Sequence, residues 1–433
     1  MKDPILRYTK AALTIVLIQA VVPHIHASDA ERPNVVFLLS DDQGWGDYSF
    51  MGHPHIETPH IDRLASEGIL YERGYVTAPL CRPSLASMAT GMYPHQTKIR
   101  GNDPVGKKRD PELRNRMTAP MDRLPSFIKE LQANGYATLQ TGKWWEGSPL
   151  KHGFDEAMTH GDPTKGGRHG DKGLTIGRKT MQPIYDFVDK SIAEDKPFFI
   201  WYGVYLPHTP HNAPERLFNK YKDVAPNEAT AWYWANCEWL DETCGQLVDF
   251  LKEKGVYENT LFVYTCDNGW RQSPKRNRYE TPSKREPEEI GIRTPIFITH
   301  TSQLEPLRDK TTLASNIDIA PTILQACGIE PPEEMSGLDL RDTDALKARD
   351  RVFVDVYEHD IDLDKLDDID SNLNARVVID GWSKLTQRLD SVQLYDLKTD
   401  DDDQNDLSQS NPEKVAQLEA MISQWLKETP VPE

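Results

Sequence analysis

The chain has 433 residues, 38% of them hydrophobic and 9% aromatic, with a formal net charge of -18 at pH 7. This length and apolar share allow a large buried core, read as one large and one small domain, and exclude a disordered chain. The acidic balance argues against a nucleic-acid partner, and an anionic ligand would need a locally basic pocket inside an acidic body.

At the start of the chain, Lys2, Arg7 and Lys10 precede the apolar run Ala11 to Val22, with Ala27 and Ala30 as small residues for cleavage. The run is too short to span a bilayer comfortably, and its flanks predict a secretory signal peptide over residues 1–27, with a retained N-terminal anchor as the alternative. Export to the periplasm or the extracellular space follows, with no membrane association after cleavage. Removing this segment takes away three basic residues and one acidic residue, which moves the formal charge from -18 to about -20. Five cysteines, at 81, 237, 244, 266 and 327, are an odd and sparse set for a disulfide scaffold. Cys237 and Cys244 are seven apart in a predicted helix, roughly 10 Å along its axis and too far to bridge. Free, buried thiols are expected.

The run Val35 to Leu39 is continuously apolar and bounded by turn residues, which predicts a buried parallel strand. Asp41 and Asp42 follow its C-terminal end, where open α/β sheets place their ligands. Crowded carboxylates repel, and either solvent or a divalent cation relieves them. In Pro79 to Gly91, Pro83 suits the first turn of a helix over Ser84 to Met92. Cys81 then falls just ahead of a helix N-terminus, where an acidic, reactive thiol is expected; a buried loop cysteine is the plain alternative. Leu124, Phe127, Ile128 and Leu131 repeat at helical spacing between Pro125 and Gly135. A strand over Tyr136 to Gln140 leads into Thr141-Gly142-Lys143-Trp144-Trp145. The connection 148–180 is Gly-rich and carries His160, Arg168, His169 and Arg178, which suits an anion pocket or a polar insertion. A strand over Lys196 to Leu206 ends in Pro207-His208-Thr209-Pro210-His211. Thr230 to Gly255 is a packing helix, and the strand Thr260 to Cys266 closes on Asp267-Asn268-Gly269, which alone reads as a turn. Residues 271–288 are rich in Lys and Arg and precede a strand over Ile296 to Thr299 and a helix over Asn316 to Gly328. Glu330-Pro331-Pro332 marks a boundary. Beyond it, short strands at 351–357, 375–380, 384–388 and 393–395 precede a helix over Pro412 to Lys427, and the acidic runs 360–370 and 400–406 read as solvated loops.

Taken in order, these segments resemble the sulfatase family. Cys81-Arg82-Pro83-Ser84 followed by a Thr-Gly helix is similar to the signature whose Cys is oxidised to formylglycine, although Leu85 stands where the family has Arg. Gly142-Lys143-Trp144-Trp145 resembles Gly-Lys-Trp-His, with Trp145 in place of the histidine. Pro207-His208-Thr209-Pro210 resembles Pro-His-x-Pro, Asp267-Asn268-Gly269 resembles Ser-Asp-Asn-Gly, and Lys284, Glu289, Gly291, Ile292, Arg293 and Pro295 fit a Lys-x4-Glu-x-Gly-Ile-Arg-x-Pro pattern. The resemblance implies an alkaline-phosphatase-like α/β fold, a mostly parallel sheet flanked by helices. It covers a catalytic domain over 28–330 and a small C-terminal antiparallel-sheet and helix subdomain over 331–433. It implies a sulfuric ester hydrolase acting on a sulfated small molecule or glycan. Formylglycine made from Cys81 by the formylglycine-forming machinery would be the nucleophile, Lys143 and Lys284 the sulfate-binding lysines, and His208 the donor to the leaving oxygen. Asp41, Asp42, Asp267 and Asn268 would hold the metal, and these hard oxygen ligands suit Ca²⁺ or Mg²⁺ over zinc. Trp145 donates a hydrogen bond but exchanges no proton near neutral pH. Arg82, His160, Arg168, His169 and His211 are therefore candidates for further substrate contacts. A phosphoester or phosphonate hydrolase of the same superfamily and a non-catalytic sulfoglycan-binding protein are the alternatives.

Overall fold

The computed structural model describes residues 1, 32–162, 165 and 171–432. All of the predicted signal peptide but residue 1, together with Arg168 and His169, lies outside the described residues.

Fourteen strands are described: β1 (Asn34–Ser40), β2 (Ile69–Tyr75), β3 (Asp103–Pro104), β4 (Ala137–Gly142), β5 (Glu156–Ala157), β6 (Phe198–Gly203), β7 (Thr260–Cys266), β8 (Arg293–Thr299), β9 (Leu307–Ser315), β10 (Arg351–Tyr357), β11 (Asp360–Ile361), β12 (Leu373–Asp380), β13 (Ser383–Gln387) and β14 (Val392–Asp396). Eight of them form one sheet in the order β5-β4-β6-β1-β7-β8-β2-β9. Its pairings are parallel except where β8 runs antiparallel between β7 and β2. Along β1, side chains alternate between the sheet's two faces. Val35, Phe37 and Leu39 enter a core shared with the helices Cys81–Thr90, Phe127–Ala133 and Ile319–Ala326. Val36 and Leu38 enter a second core with the helices Pro59–Ser66, Gln182–Ala193 and Glu228–Glu253. β1 is buried along its whole length because both faces are covered. All five cysteines are free and buried, as the sequence leads one to expect.

The smaller sheet, β10-β12-β13-β14, is antiparallel. Phe353, Val378, Leu385 and Leu394 on one face pack against Val415, Leu418, Ile422 and Trp425 of the helix Pro412–Glu428. Val354, Val377 and Ile379 pack against Tyr75, Val76 and Ile292 of the large unit.

One fully buried polar cluster ties the two parts together. Lys384 of β13 donates to Asp403 at 2.6 Å and to Glu289 at 3.2 Å, and Glu289 also accepts from the Tyr75 hydroxyl at 3.0 Å. Breaking one side of a buried ion pair leaves an uncompensated charge. Lys384→Met is therefore expected to lower stability by about 3–5 kcal/mol in urea unfolding. A loss below about 1 kcal/mol would show that Glu289 and Asp403 do not need it.

Candidate active site

The parallel register of β1 with β7 sets Ser40 beside Cys266, so Asp41-Asp42 and Asp267-Asn268 leave the sheet side by side. Asp42 takes a left-handed φ of 63°, tolerated by Asp, and its N–H donates to Asp267 Oδ1 at 3.1 Å. Asn268 Nδ2 donates to Asp42 Oδ1 at 2.8 Å. β4 supplies Lys143 through Gly142, whose φ is 72° and where a Cβ would come within 1.9 Å of the Gly203 carbonyl oxygen. Only glycine allows that approach. Lys143 Nζ donates to Asp41 Oδ1 at 2.5 Å and Asp267 Oδ2 at 2.7 Å. Lys284 Nζ donates to Asp42 Oδ1 at 2.5 Å and lies 2.9 Å from Cys81 Sγ. Cys81 opens the helix Cys81–Thr90 over these strand ends.

Three carboxylates thus face two ammonium groups in a buried site. Ligand atoms of Asp41, Asp42, Cys81 and Asp267 all lie within 4.8 Å of one another. Asp41 Oδ2 and Asn268 Oδ1 are buried acceptors with no hydrogen-bond partner. Unsatisfied buried acceptors are costly, and an all-oxygen donor set with surplus negative charge fits a hard divalent cation. Burial pushes the Asp41 carboxyl up to about 6, against the pull of Lys143 and His208. At Asp42 burial acts the same way but is outweighed by Lys284, His208 and Lys143, which hold it below the usual carboxylate range. At Lys143 and Lys284 burial is outweighed by the neighbouring carboxylates, and both are held above the ordinary lysine value.

Cys81 departs from the expected acidic thiol. The helix starts at Cys81 rather than at Ser84, and the residue is only 2% exposed. Burial pushes its thiol up to about 12 despite Lys143 and Lys284. A thiol so placed keeps its proton at neutral pH and is a poor nucleophile.

A cleft of about 350 Å³ opens above this floor, and Asp42, Cys81, Lys143, His208 and Lys284 all line it. His208 Nδ1 lies 2.6 Å from the Thr209 carbonyl, and its Nε2 lies 3.5 Å from Asp42 Oδ2. Arg178 braces this loop, donating to the carbonyls of Tyr205 and, at 3.1 Å, His208, and to Asn212 Oδ1 at 2.5 Å. Trp145, Tyr205, Trp270 and Tyr279 form aromatic walls. Arg278, Arg285 and His359 also line the cleft, and no motif in the sequence marks them as site residues. The only signal for the first two is the basic run in which Lys284 sits.

Several candidates lie elsewhere, which corrects the expected substrate contacts. The Arg82 guanidinium is 1% exposed and turned away from the cleft, bound to Glu146 at 2.7 Å and to the carbonyls of Gly101 and Met117. His160 lies in a separate depression, 3.1 Å from Asp171. His211 is buried against Tyr233 and Trp270 and does not line the cleft. Leu85 packs into the core with Met88 and Ala89 and puts no charge near Cys81.

Comparison with known proteins agrees with this architecture. The family model "Sulfatase" matches residues 33–329, and "N-sulphoglucosamine sulphohydrolase, C-terminal" matches residues 280–430. With more than half its length matched, the chain belongs to the sulfatase family. It is 29% identical over 353 residues to N-acetylgalactosamine-6-sulfatase of Sus scrofa, an alignment covering 72% of this chain and 65% of that protein. It is 24% identical over 347 residues to an ulvan-active sulfatase of Formosa agariphila, covering 71% and 64%. The chain thus spans about two thirds of the length of these relatives. Among solved structures, Ps i-CgsB in complex with k-i-k-neocarrahexaose superposes with a TM-score of 0.75 at 22% identity, covering 93% of this chain and 94% of that one. Among the described residues, no helix is long and apolar enough to cross a membrane.

Proposed function

We propose that this protein hydrolyses sulfate esters on a glycan, with residue 81, converted to formylglycine, as the nucleophile. The observation that carries this reading is the meeting of Asp41, Asp42, Asp267 and Asn268 with Lys143, Lys284 and Cys81 at the floor of one cleft. The printed names of the relatives, a sulfatase of N-acetylgalactosamine and one active on ulvan, support a sulfated glycan as substrate. The predicted leader supports export, so the glycan would be met outside the cytoplasm.

Transfer of a sulfuryl group is mainly a task of positioning and charge stabilisation, as for phosphoryl transfer. Ca²⁺ or Mg²⁺, held by Asp41, Asp42, Asp267 and Asn268, would supply positive charge facing the sulfuryl oxygens. Formylglycine would supply, as its hydrate, the attacking hydroxyl that the protonated thiol cannot. Lys143 and Lys284 bring two further positive charges to the same oxygens. His208 stands at the cleft wall, where a protonated Nε2 can donate to the leaving alcohol. The aromatic walls narrow the cleft and limit water around the reacting group.

A second reading, a sulfoglycan binder without turnover, is favoured by Leu85, which removes the family's arginine from the helix of residue 81. One experiment separates the two. Protein made in a host with formylglycine-forming machinery is assayed for sulfate release from sulfated saccharides and an aryl sulfate, with Cys81→Ala as control, and residue 81 is identified by peptide mass. An aldehyde at 81 with release lost in Cys81→Ala is expected. An intact thiol with no release from any ester would overturn the hydrolase reading and favour the binder.

A further inference from the structure

We infer that the cleft contains a second anion subsite, formed by Arg278 and Arg285, so that the preferred substrate carries another negative group beside the scissile sulfate. This inference rests on the proposed function and names its substrate more closely.

The first observation is charge placement. Residues 271–285 hold six Lys or Arg residues and one Glu, whereas the whole chain carries -18. Within that stretch Lys284 is committed to the floor, on Asp42 and Cys81. Arg278 and Arg285 line the same cleft. Among the described residues no carboxylate forms an ion pair with Arg278. Arg285 lies 3.8 Å from Glu358 Oε2 and 3.5 Å from the Tyr279 hydroxyl, longer than a well-formed charged hydrogen bond. Its side chain is 36% exposed. Two guanidinium groups with spare donor capacity thus face a cleft whose floor already carries two lysines for one sulfate.

The second observation is preorganisation. The stretch is tied down rather than loose. Gln272 pairs with Tyr279 across a β-bridge, Ser273 N–H donates to the Arg278 carbonyl at 2.9 Å, and Arg271 N–H donates to Ser283 Oγ at 2.6 Å. Arg285 N–H donates to the Pro79 carbonyl at 2.8 Å, anchoring it beside the segment that leads to Cys81. These bonds fix the backbone that carries the two arginines, whose planar guanidinium donors match a carboxylate or a sulfate in paired hydrogen bonds. His359 adds a wall residue from the smaller unit; its Nδ1 lies 2.6 Å from Asp360, and burial lowers its pKa, so no charge is assigned to it. A sugar with one sulfate would leave Arg278 without an anionic partner and Arg285 with only the long contact to Glu358.

The test uses the full chain with Cys81→Ala, so that binding is read without turnover. Three disaccharide probes are titrated by calorimetry: one monosulfated, one disulfated, and one monosulfated with a uronate carboxylate. Arg278→Gln and Arg285→Gln are then added together. The expected result is at least about tenfold tighter binding of a dianionic probe than of the monosulfated one, a preference that shrinks to about onefold in the double variant. Whether the disulfated or the uronate probe gains identifies the second anion as sulfate or carboxylate. Equal affinities for all three probes in the parent, or a preference that survives in the double variant, would overturn the subsite. Because affinity is measured, absence of sulfate release from wild-type protein would defeat the proposed activity without touching this result.

Discussion

Lys143→Met is expected to lower sulfate release by about 10²–10³-fold while making the fold more dependent on divalent cations. Lys143 is 1% exposed and bridges Asp41 and Asp267. Without it, among the described residues, the buried carboxylates of Asp41, Asp42 and Asp267 keep Lys284 as the one lysine in contact, with His208 Nε2 at 3.5 Å from Asp42. Removing one member of a buried ion pair costs about 3–5 kcal/mol when nothing replaces it. A divalent cation would replace it, so millimolar calcium should raise the melting temperature of the variant more than that of the parent. The activity would fall because the charge proposed to face the sulfuryl oxygens is gone, and the cation would not restore it. Thermal unfolding with calcium and with chelator, paired with a sulfate-release assay, reads both effects. Equal calcium shifts in the variant and the parent would show that the carboxylates do not share one ion.

Asp267→Ala is expected to lose at least about a thousandfold in sulfate release, about 4 kcal/mol of barrier, together with bound calcium. Asp267 does two things at once. Its Oδ1 accepts the Asp42 N–H and holds Asp42 in its left-handed turn, and its Oδ2 contacts Lys143. Asp267→Asn separates the two, because an amide oxygen can keep the Asp42 bond while the charge is lost. If charge governs cation binding, both variants should fail to bind calcium in equilibrium dialysis. Should Asn bind as well as Asp, the site would be held together by geometry and the electrostatic account would fail.

Much of this site is legible in the sequence because its parts sit at the ends of largely apolar runs. β1 and β7 are buried on every residue, and their ends carry Asp41-Asp42 and Asp267-Asn268. β2 and β9 escape the same reading. β2 is interrupted by Glu72 and Arg73, and Arg73 is nonetheless buried, with its guanidinium 3.8 Å from the centre of the Trp382 ring. β9 is one of the sheet's two edge strands and exposes its first residues, so no apolar pattern marks it. The acidic thiol expected at Cys81 fails for a related reason. Sequence shows the helix N-terminus but not the burial that raises the thiol.

The cleft walls are harder to read. His359 reaches the cleft wall from a segment far from the motifs, and the folded chain sets Arg178, offered by the sequence only as part of a basic connection, behind the His208 loop. The smaller sheet contributes in two ways, through His359 at the wall and through Lys384 on Glu289, five residues beyond Lys284. The departures at Leu85 and Trp145 are visible in sequence, yet their consequences differ. Leu85 is absorbed into the core, whereas Trp145 remains at the cleft as a wall.

The most direct measurement is a crystal structure of the protein soaked in calcium. The account predicts a single ion at about 2.3–2.6 Å from oxygens of Asp41, Asp42, Asp267 and Asn268, beside residue 81. Crystals in which Lys143 and Lys284 still clasp these carboxylates, with no ion between them at saturating calcium, would contradict it.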